Sequence, residues 1–561
     1  MRIQRREFLR LGGATAAAGA AMGVAAACAP VTSPENPTPH VPTGAEILEA
    51  LWPAIDRRRL VRAEPSNPEA PNQLAVPGSK SALVVGGGIA GLSAALELVE
   101  AGYSVTVREA SPDFGGRLAT RELDPGVGRT FKVEHGLHMW FDNYRVFLDI
   151  RNRLGINGQF RDYNAVNFIF RDYLPERLVS EPKVFPLNLA NIIENSPNLD
   201  WPDIFTSLGI SPDVLSFRFE GLYDRNDDET FVAWQDRVQV SKKFRDVVMQ
   251  PAAHVTLNRQ SDLSAAEMLL YQHMYFTSQP FAFDRQITTV DHGTAVIDPW
   301  VAKLRSLGAV VMASSPIAGL RCAGSRAVGV VGESATYDWV ILAADVNGAK
   351  AILDASVGAD AASVAALTKA RARLAPMGTA PPYRILRVWF DRQLNADRPD
   401  VMETPQHDPV ALICQFHQLE EESKAWAADT GGAIIEFHLY ALDGPLASAP
   451  DSEVWSHIRP TVLEVVPELT TANVVGSTLG NYDNFSSFAT GMGKVRPFCD
   501  SFEADGIANL RLCGDWIRSP APSALMERSV MTGRQAANSC RVVDGVREVA
   551  YDHVTPVGPL L

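Results

Sequence analysis

Three glycines, Gly86, Gly88 and Gly91, stand in the run VVGGGIAGLS at the spacing GxGxxG. Without side chains there, backbone N–H groups can approach a pyrophosphate, and a helix beginning at the turn adds the positive end of its dipole. Glu109 follows eighteen residues after Gly91, where a carboxylate can accept from ribose hydroxyls. Six residues beyond it, Gly115 and Gly116 form a second close turn, and Arg117 supplies a cation able to reach phosphate. The chemistry of this set is dinucleotide binding. These residues alone leave nicotinamide and flavin both open.

The elements that must position them are legible around the glycines. ALVVG (82–86) reads as a buried strand, IAGLSAALELVEAG (89–102) as a helix ended by Gly102, and SVTVRE (104–109) as a second strand. Further on, Gly293 and a helix-like stretch 294–307 precede VVMASSPIAGL (310–320) and the apolar strand DWVILAAD (338–345). Near the end, NLRLCGDW (509–516) is a strand closing on Gly514 and Asp515, followed by a helix over 523–539 that contains Met526.

At 561 residues the chain exceeds one ordinary core, so two domains are expected, interleaved in sequence. The segments 80–140, 291–370 and 490–545 are assigned to the dinucleotide domain, and 141–290 with 371–489 to a substrate domain. Residues 546–561 read as a tail. The net charge of −14, with no basic block beyond the first residues, argues against a nucleic-acid partner. Six cysteines (28, 322, 414, 499, 513 and 540) show neither CxxC nor zinc spacing, so no metal site is expected.

The early GxGxxG, the acid at Glu109, the GGR turn and the late Gly514-Asp515 followed by a Met-Glu helix together resemble the flavin-dependent amine oxidase and carotenoid desaturase superfamily. The match departs at Arg528 and Ser529, where that superfamily commonly has Gly-Ala. The resemblance implies an α/β fold, a Rossmann-like FAD-binding domain interleaved with an α+β substrate domain. It places Asp515 near the ribityl-phosphate region of FAD, the backbone of Met526 near the flavin N1/C2 edge, and a backbone near Ile317 against adenine. Ile317 reads equally well as part of a core strand. VEHGLHMWFDNYRVFLDIRNRLG (133–155) is similar to the carotenoid-desaturase segment after the first flavin motif, and the resemblance implies that its Gly136 contacts the cofactor. DLSAAEMLLYQHMYF (262–276), ILRVWFDRQL (385–394) and TGGAIIEFHLYAL (430–442) are similar to plant-type carotene desaturases and aromatic-ring carotenoid synthases.

The activity so implied is desaturation, with or without rearrangement, of a carotenoid or another lipophilic isoprenoid by hydride transfer to flavin N5. An electron acceptor is required and is not named by the sequence. His138, with His135 beside it, is the candidate to polarise substrate or take a proton; a histidine in such a segment can equally be structural. Trp140, Phe141, Tyr271, Tyr275 and Phe276 can wall a channel for a polyene or pack an ordinary core. Two rivals stand: a secreted amine oxidase, for which Lys350 and Lys494 lie in poor contexts, and a non-catalytic flavin- or lipid-binding lipoprotein.

The amino terminus suggests a location. Arg5 and Arg6 precede Phe8 and Leu9, and a Gly/Ala-rich run extends to Ala27, the layout of a twin-arginine export signal rather than of a strongly apolar span. Ala25–Ala27 before Cys28 can serve either as a lipoprotein box, anchoring Cys28 by lipid, or as a plain cleavage site. Residues 29–79 read as a Pro-rich tether with a short helix opened by Thr43 and Glu46. Export already folded suits a cofactor site built from distant segments, and the mature protein is expected in the periplasm or at the outer face of the cell membrane.

Overall fold

The computed structural model describes residues 60–559 apart from 164–165, 179–194, 201, 204–206, 208–210, 280–281 and 523–524. The export signal, Cys28 and the helix expected near Thr43 therefore lie outside the described residues. Arg57–Leu561 form one compact unit.

Its first layer is a five-stranded parallel sheet in the order Val310–Met312, Ser104–Arg108, Ser81–Val85, Trp339–Leu342, Leu510–Leu512. Val84 pairs with Val107 on one side and Ile341 on the other. The strand Ser81–Val85 is apolar from Ala82 onward because it is covered twice: Ala82 and Val84 face one core, Leu83 and Val85 the other. Of the stretch 310–320, only Val310–Met312 pairs with Ser104–Arg108 in this sheet.

Helix Ile89–Glu100 is buried from Ile89 to Val99, including Glu97, because the sheet lies under it and helix Met526–Val543 lies over it. Small residues make that approach feasible. A Cβ on Gly533 would come within 2.3 Å of the Ala90 carbonyl oxygen, and Ser93 Oγ donates to the Val530 carbonyl at 2.8 Å. The buried Glu97 carboxylate is matched by Arg153 and Arg534, each at 2.8 Å. At the start of the upper helix, Glu527 accepts from the N–H groups of Val146 and Phe147 and so caps helix Arg145–Leu154 from outside.

The second layer is a seven-stranded sheet in the order Val474–Tyr482, Tyr383–Phe390, Ala433–Leu439, Val410–Gln415, Val401–Glu403, Val166–Phe168, Glu176–Leu178. Its central strands bury Leu386, Val388, Ile413 and Phe437 against helix Asp451–Val465. A three-stranded sheet of Trp140–Phe141, Arg285–Thr288 and Phe160–Asp162 draws on both groups of segments assigned from sequence.

The chain's last segment differs from the tail expected for 546–561, and part of the expected tether differs with it. Tyr551–Val554 pairs antiparallel with Leu60–Ala63, Arg62 reaches Asp552 at 3.1 Å, and Val554 is buried. Four-residue segments like these carry too little alternation to announce a strand, and each becomes one only because the other satisfies its backbone.

The close helix crossing yields a test. Gly533→Ala should destabilise the protein by about 1–3 kcal/mol through overpacking, whereas Gly158→Ala, with no atom within 4 Å of the added Cβ, should change little. Urea unfolding of the two variants reads the difference.

Candidate active site

The two glycine turns form one backbone surface. Gly115 N–H donates to the Gly87 carbonyl at 2.9 Å, and Gly88 bridges to Gly115 in parallel pairing. The glycines within it are required for different reasons. Gly86, at φ +116°, would place a Cβ 2.7 Å from the Ala343 carbonyl oxygen, and Gly91 would place one 2.0 Å from the Gly86 oxygen. A Cβ on Gly88 would meet no protein atom closer than 3.9 Å. Packing does not demand glycine there; an open approach to the helix N-terminus does, and that fits a pyrophosphate. Gly116, at φ +60°, faces Gly88 across the same surface.

Glu109 ends its strand beside this surface and accepts from Gly87 N–H and Ser111 N–H, both at 2.7 Å. Its own carbonyl accepts from Ser315 N–H at 2.7 Å, and Arg108 holds the Pro316 carbonyl at 2.8 Å. Ile317 is thereby brought to the Glu109 edge of the sheet.

Arg117 and Asp515, 398 residues apart in sequence, form a buried ion pair at 2.5 Å. Ser486 Oγ donates to the other Asp515 oxygen at 2.5 Å. Burial alone would raise the Asp515 carboxyl, but Arg117 and the Ser486 hydrogen bond outweigh it and hold it below the usual range. Gly514, at φ +144°, is tied to the C-terminal helix through Thr532 Oγ1 at 3.0 Å, which places Met526 at that helix's first turn. Arg528, the departure from the superfamily pattern, is buried and donates to the carbonyls of Ala521 and Ser519.

Gly136 lies elsewhere. At φ +107° its Cβ position is 3.0 Å from His438 on the second sheet, so it seats the segment 134–138 against that sheet rather than joining the glycine surface. His135 is 3.2 Å from the Tyr383 hydroxyl and its ring lies 3.5 Å from that of Tyr482. His138 Nδ1 is 2.8 Å from the Gly136 carbonyl oxygen, so Nδ1 carries the proton and Nε2 is left as an acceptor. Burial, reinforced by neighbouring His292, pushes the His138 imidazole down to about 3, so it is neutral across physiological pH.

Around His138 stands a group that sequence reading did not single out. Arg387 is a buried cation facing three buried carboxyl groups: Glu436 at 2.8 Å, Glu420 at 3.6 Å and Glu134 at 3.8 Å. Glu436 also meets His438 Nε2 at 2.8 Å, and His438 Nδ1 meets the Tyr440 hydroxyl at 2.7 Å. Burial would raise Glu436, but Arg387 and His438 hold it below the usual range. Burial pushes Glu134 up to about 7 and, with Glu134 beside it, drives Glu420 well above the ordinary carboxylate range. His292 lies 2.6 Å from Glu134 and is pushed down to about 4 by burial. A signal did exist: Arg387 interrupts ILRVWF, and Glu436 and His438 alternate within IIEFHL, polar residues on one face of strands otherwise buried.

Of the proposed channel aromatics, four come together. Phe141 and Tyr275 rings are 4.4 Å apart, Tyr271 and Tyr275 4.7 Å, and Phe276 stacks on Phe283 at 5.4 Å. Trp140 instead packs on Phe147 at 4.1 Å and Phe160 at 5.7 Å, within the core.

A parallel sheet with a glycine cradle, closed by a distant acidic turn and joined to a large antiparallel sheet, defines a dinucleotide-dependent oxidoreductase. The chain belongs to the flavin-containing amine oxidoreductase family, whose pattern matches residues 89–541, and it is an FAD-dependent oxidoreductase. It is 27% identical over 605 residues to a carotenoid phi-ring synthase of Chlorobaculum tepidum, covering 86% of this chain and 91% of the relative. It is 27% identical to a carotenoid phi-ring synthase of Streptomyces griseus, covering 83% and 88%. A 15-cis-phytoene desaturase of Solanum lycopersicum matches 27% of the chain at 28% identity. The fold is shared with cyclohexylamine oxidase from Brevibacterium oxydans, at TM-score 0.55 and 12% identity, over 83% of this chain and 98% of that one. Reduced UDP-galactopyranose mutase is similar at TM-score 0.56 and 13% identity, over 83% and 96%.

The contrast among the glycines is testable. Gly88→Val should fold with near-normal stability yet lose the yellow FAD absorbance, because its Cβ meets only ordinary contacts while the side chain fills the approach. Gly91→Val should lose both, since its Cβ collides with backbone. Absorbance at the flavin band and a melting curve on each variant give the answer, and a fully yellow Gly88→Val protein contradicts this placement of the cofactor.

Proposed function

We propose that this protein oxidises a carotenoid or a comparably lipophilic isoprenoid, desaturating it with or without rearrangement. The observation that carries this reading is coverage. Relatives named as carotenoid phi-ring synthases align along 83–86% of this chain and 88–91% of their own, well beyond the dinucleotide motifs. The aromatic group Phe141, Tyr271, Tyr275 and Phe276, with Phe283, suits an apolar polyene, since each buried CH₂ contributes roughly 0.8 kcal/mol without polar anchors.

Bound FAD supplies a two-electron hydride acceptor. In this reading Gly86, Gly88, Gly115 and Gly116 present backbone to its pyrophosphate, Glu109 and the Ile317 segment hold the adenosine end, and Arg117, Asp515 and Met526 hold the other. In the same reading His138, neutral and with Nε2 left as an acceptor, takes the substrate proton. The electron acceptor that completes the cycle is a further partner.

An amine oxidase on the same scaffold would want an aromatic cage and a lysine at the flavin. Lys350 is spent on the carbonyls of Ala375 and Met377, and Lys494 on Asp228. We therefore expect FAD reduction, seen as bleaching under anaerobic conditions, with carotenoids or other isoprenoids in detergent and none with primary amines or polyamines. Bleaching by an amine and by no isoprenoid would reverse the assignment.

The location belongs to the same proposal: export by the twin-arginine route, supported by Arg5, Arg6 and the Gly/Ala-rich run, to the outer face of the membrane, with Cys28 as a lipid anchor. Changing Arg5 and Arg6 to Lys should retain a folded, FAD-loaded precursor in the cytoplasm. Cell fractionation and flavin fluorescence report the outcome, and normal arrival of the variant in the envelope would refute the route.

A further inference from the structure

We propose that Glu134 and Glu420, reached through His292, are the store into which His138 discharges the proton it takes from substrate. The inference deepens the function proposed above and rests on it for the identity of the substrate.

The argument begins with charge. Among the described residues, Arg387 is the one arginine or lysine within ion-pair distance of Glu134, Glu420 and Glu436, and all four side chains are buried. A purely structural ion pair needs one carboxylate, and Glu436 already fills that role with two short contacts to Arg387 and one to His438. Two further buried carboxyl groups cannot both ionise against the single charge that remains shared, so Glu134 and Glu420 hold one proton between them. With Arg387 positive and Glu436 negative, the resting pair carries one net negative charge. It can therefore accept one more proton and become neutral.

Geometry connects this store to the site. Glu134 Oε1 accepts the backbone N–H of His292 at 2.7 Å and lies 2.6 Å from its Nδ1. The His292 ring meets that of His138 edge to face, with centroids 5.2 Å apart. Both ring nitrogens of His292 and Glu420 Oε1 are buried without hydrogen-bond partners among the described residues, so the approach of Nδ1 to Glu134 is an ion-pair contact rather than an aligned hydrogen bond. Such orphaned atoms cost stability and call for an explanation. A π-helical segment, Gly293–Ile297, opens immediately after His292, an irregularity common at functional sites. The charged and titratable groups facing this path are Glu134, Glu420, Glu436, Arg387, His438, Asp291, His138, His135 and Arg117.

The step balances. In a desaturation, one C–H bond breaks with both its electrons leaving as hydride to the FAD oxidant. The neighbouring C–H bond breaks the other way: its electron pair closes the double bond and its proton goes to His138 Nε2. Burial and the adjacent His292 disfavour an imidazolium at His138, so the proton moves by way of His292 to the carboxyl pair.

Two measurements test this. The first needs no substrate. A carboxyl held at about 7 in the folded state binds a proton that the unfolded chain releases near its ordinary value. The stability it contributes is present at low pH and lost as pH rises towards 7. Melting temperatures of the FAD-loaded protein between about pH 5 and 8 should therefore fall more steeply for the wild type than for Glu134→Gln or Glu420→Gln. Identical pH dependence in all three would overturn the store. The second is anaerobic flavin reduction by a carotenoid in detergent. The wild-type rate should rise with pH through about 7 as the store empties, and each Gln variant should slow reduction at least about tenfold and flatten the profile. KM should be unchanged, and Glu134→Asp should restore part of the rate. Wild-type rates and profile in both Gln variants would overturn the transfer. A wild type reduced by no isoprenoid would overturn the proposed function and the transfer step together, while the melting data would still decide the store.

Discussion

The seating of the C-terminal helix on the helix that follows the first glycine turn is the contact on which the site depends. It brings Gly514, Asp515 and Met526 to the turns that carry Gly86, Glu109 and Arg117, and it leaves room for nothing larger than hydrogen at Gly533. Because both helices are buried along this face, the Glu97 carboxylate must be matched within it, and Arg153 and Arg534 do so. Breaking such a buried pair by removing one partner typically costs about 3–5 kcal/mol, far more than the pair adds over an apolar pair. Sliding the helices would leave these buried charges uncompensated, so the pair works against other registers.

Buried charge elsewhere in the molecule falls into two kinds. Arg117 with Asp515 is a one-to-one pair, and Glu267 is shared by Arg496 at 2.9 Å and Arg528 at 3.9 Å; in neither is there an excess of carboxyl groups, and both tie distant segments together. The group around Arg387 is unbalanced, with an excess carboxyl that the interior cannot leave charged at no cost. Its members come from four separate segments: Glu134 beside the glycine domain, Arg387 and Glu436 on adjacent strands, Glu420 at the start of a helix. It adjoins the same short loop that carries His138. Fold and chemistry meet at that loop, since Gly136 is pressed on His438 on one side while His138 faces His292 on the other.

The aromatic side chains divide in a similar way. Trp140 is held by Phe147 and Phe160 and serves packing, although it neighbours Phe141, which joins Tyr271, Tyr275 and Phe283. Successive residues on a strand point to opposite faces, so adjacency in sequence here means separation in space. Tyr275 itself lies in a π-helical turn, His273–Thr277, which shifts its direction relative to the preceding helix.

From sequence alone, the parallel dinucleotide unit was legible: Gly86, Gly88, Gly91 and Glu109 are local in the chain, and their spacing encodes a strand, a turn and a helix whose geometry needs no distant partner. The late Gly514 and Asp515 were recognisable by resemblance, and the structure joins Asp515 to Arg117. What sequence could not decide was which of several polar residues in apolar runs belong together. Arg387, Glu436, Glu420, Glu134 and His292 have no mutual spacing, because strand pairing and the 134–138 loop, not chain proximity, bring them into contact. The strand Tyr551–Val554 was hidden for the same reason. A four-residue segment acquires its structure from the partner that satisfies its backbone, and that partner, Leu60–Ala63, lies almost the whole chain away.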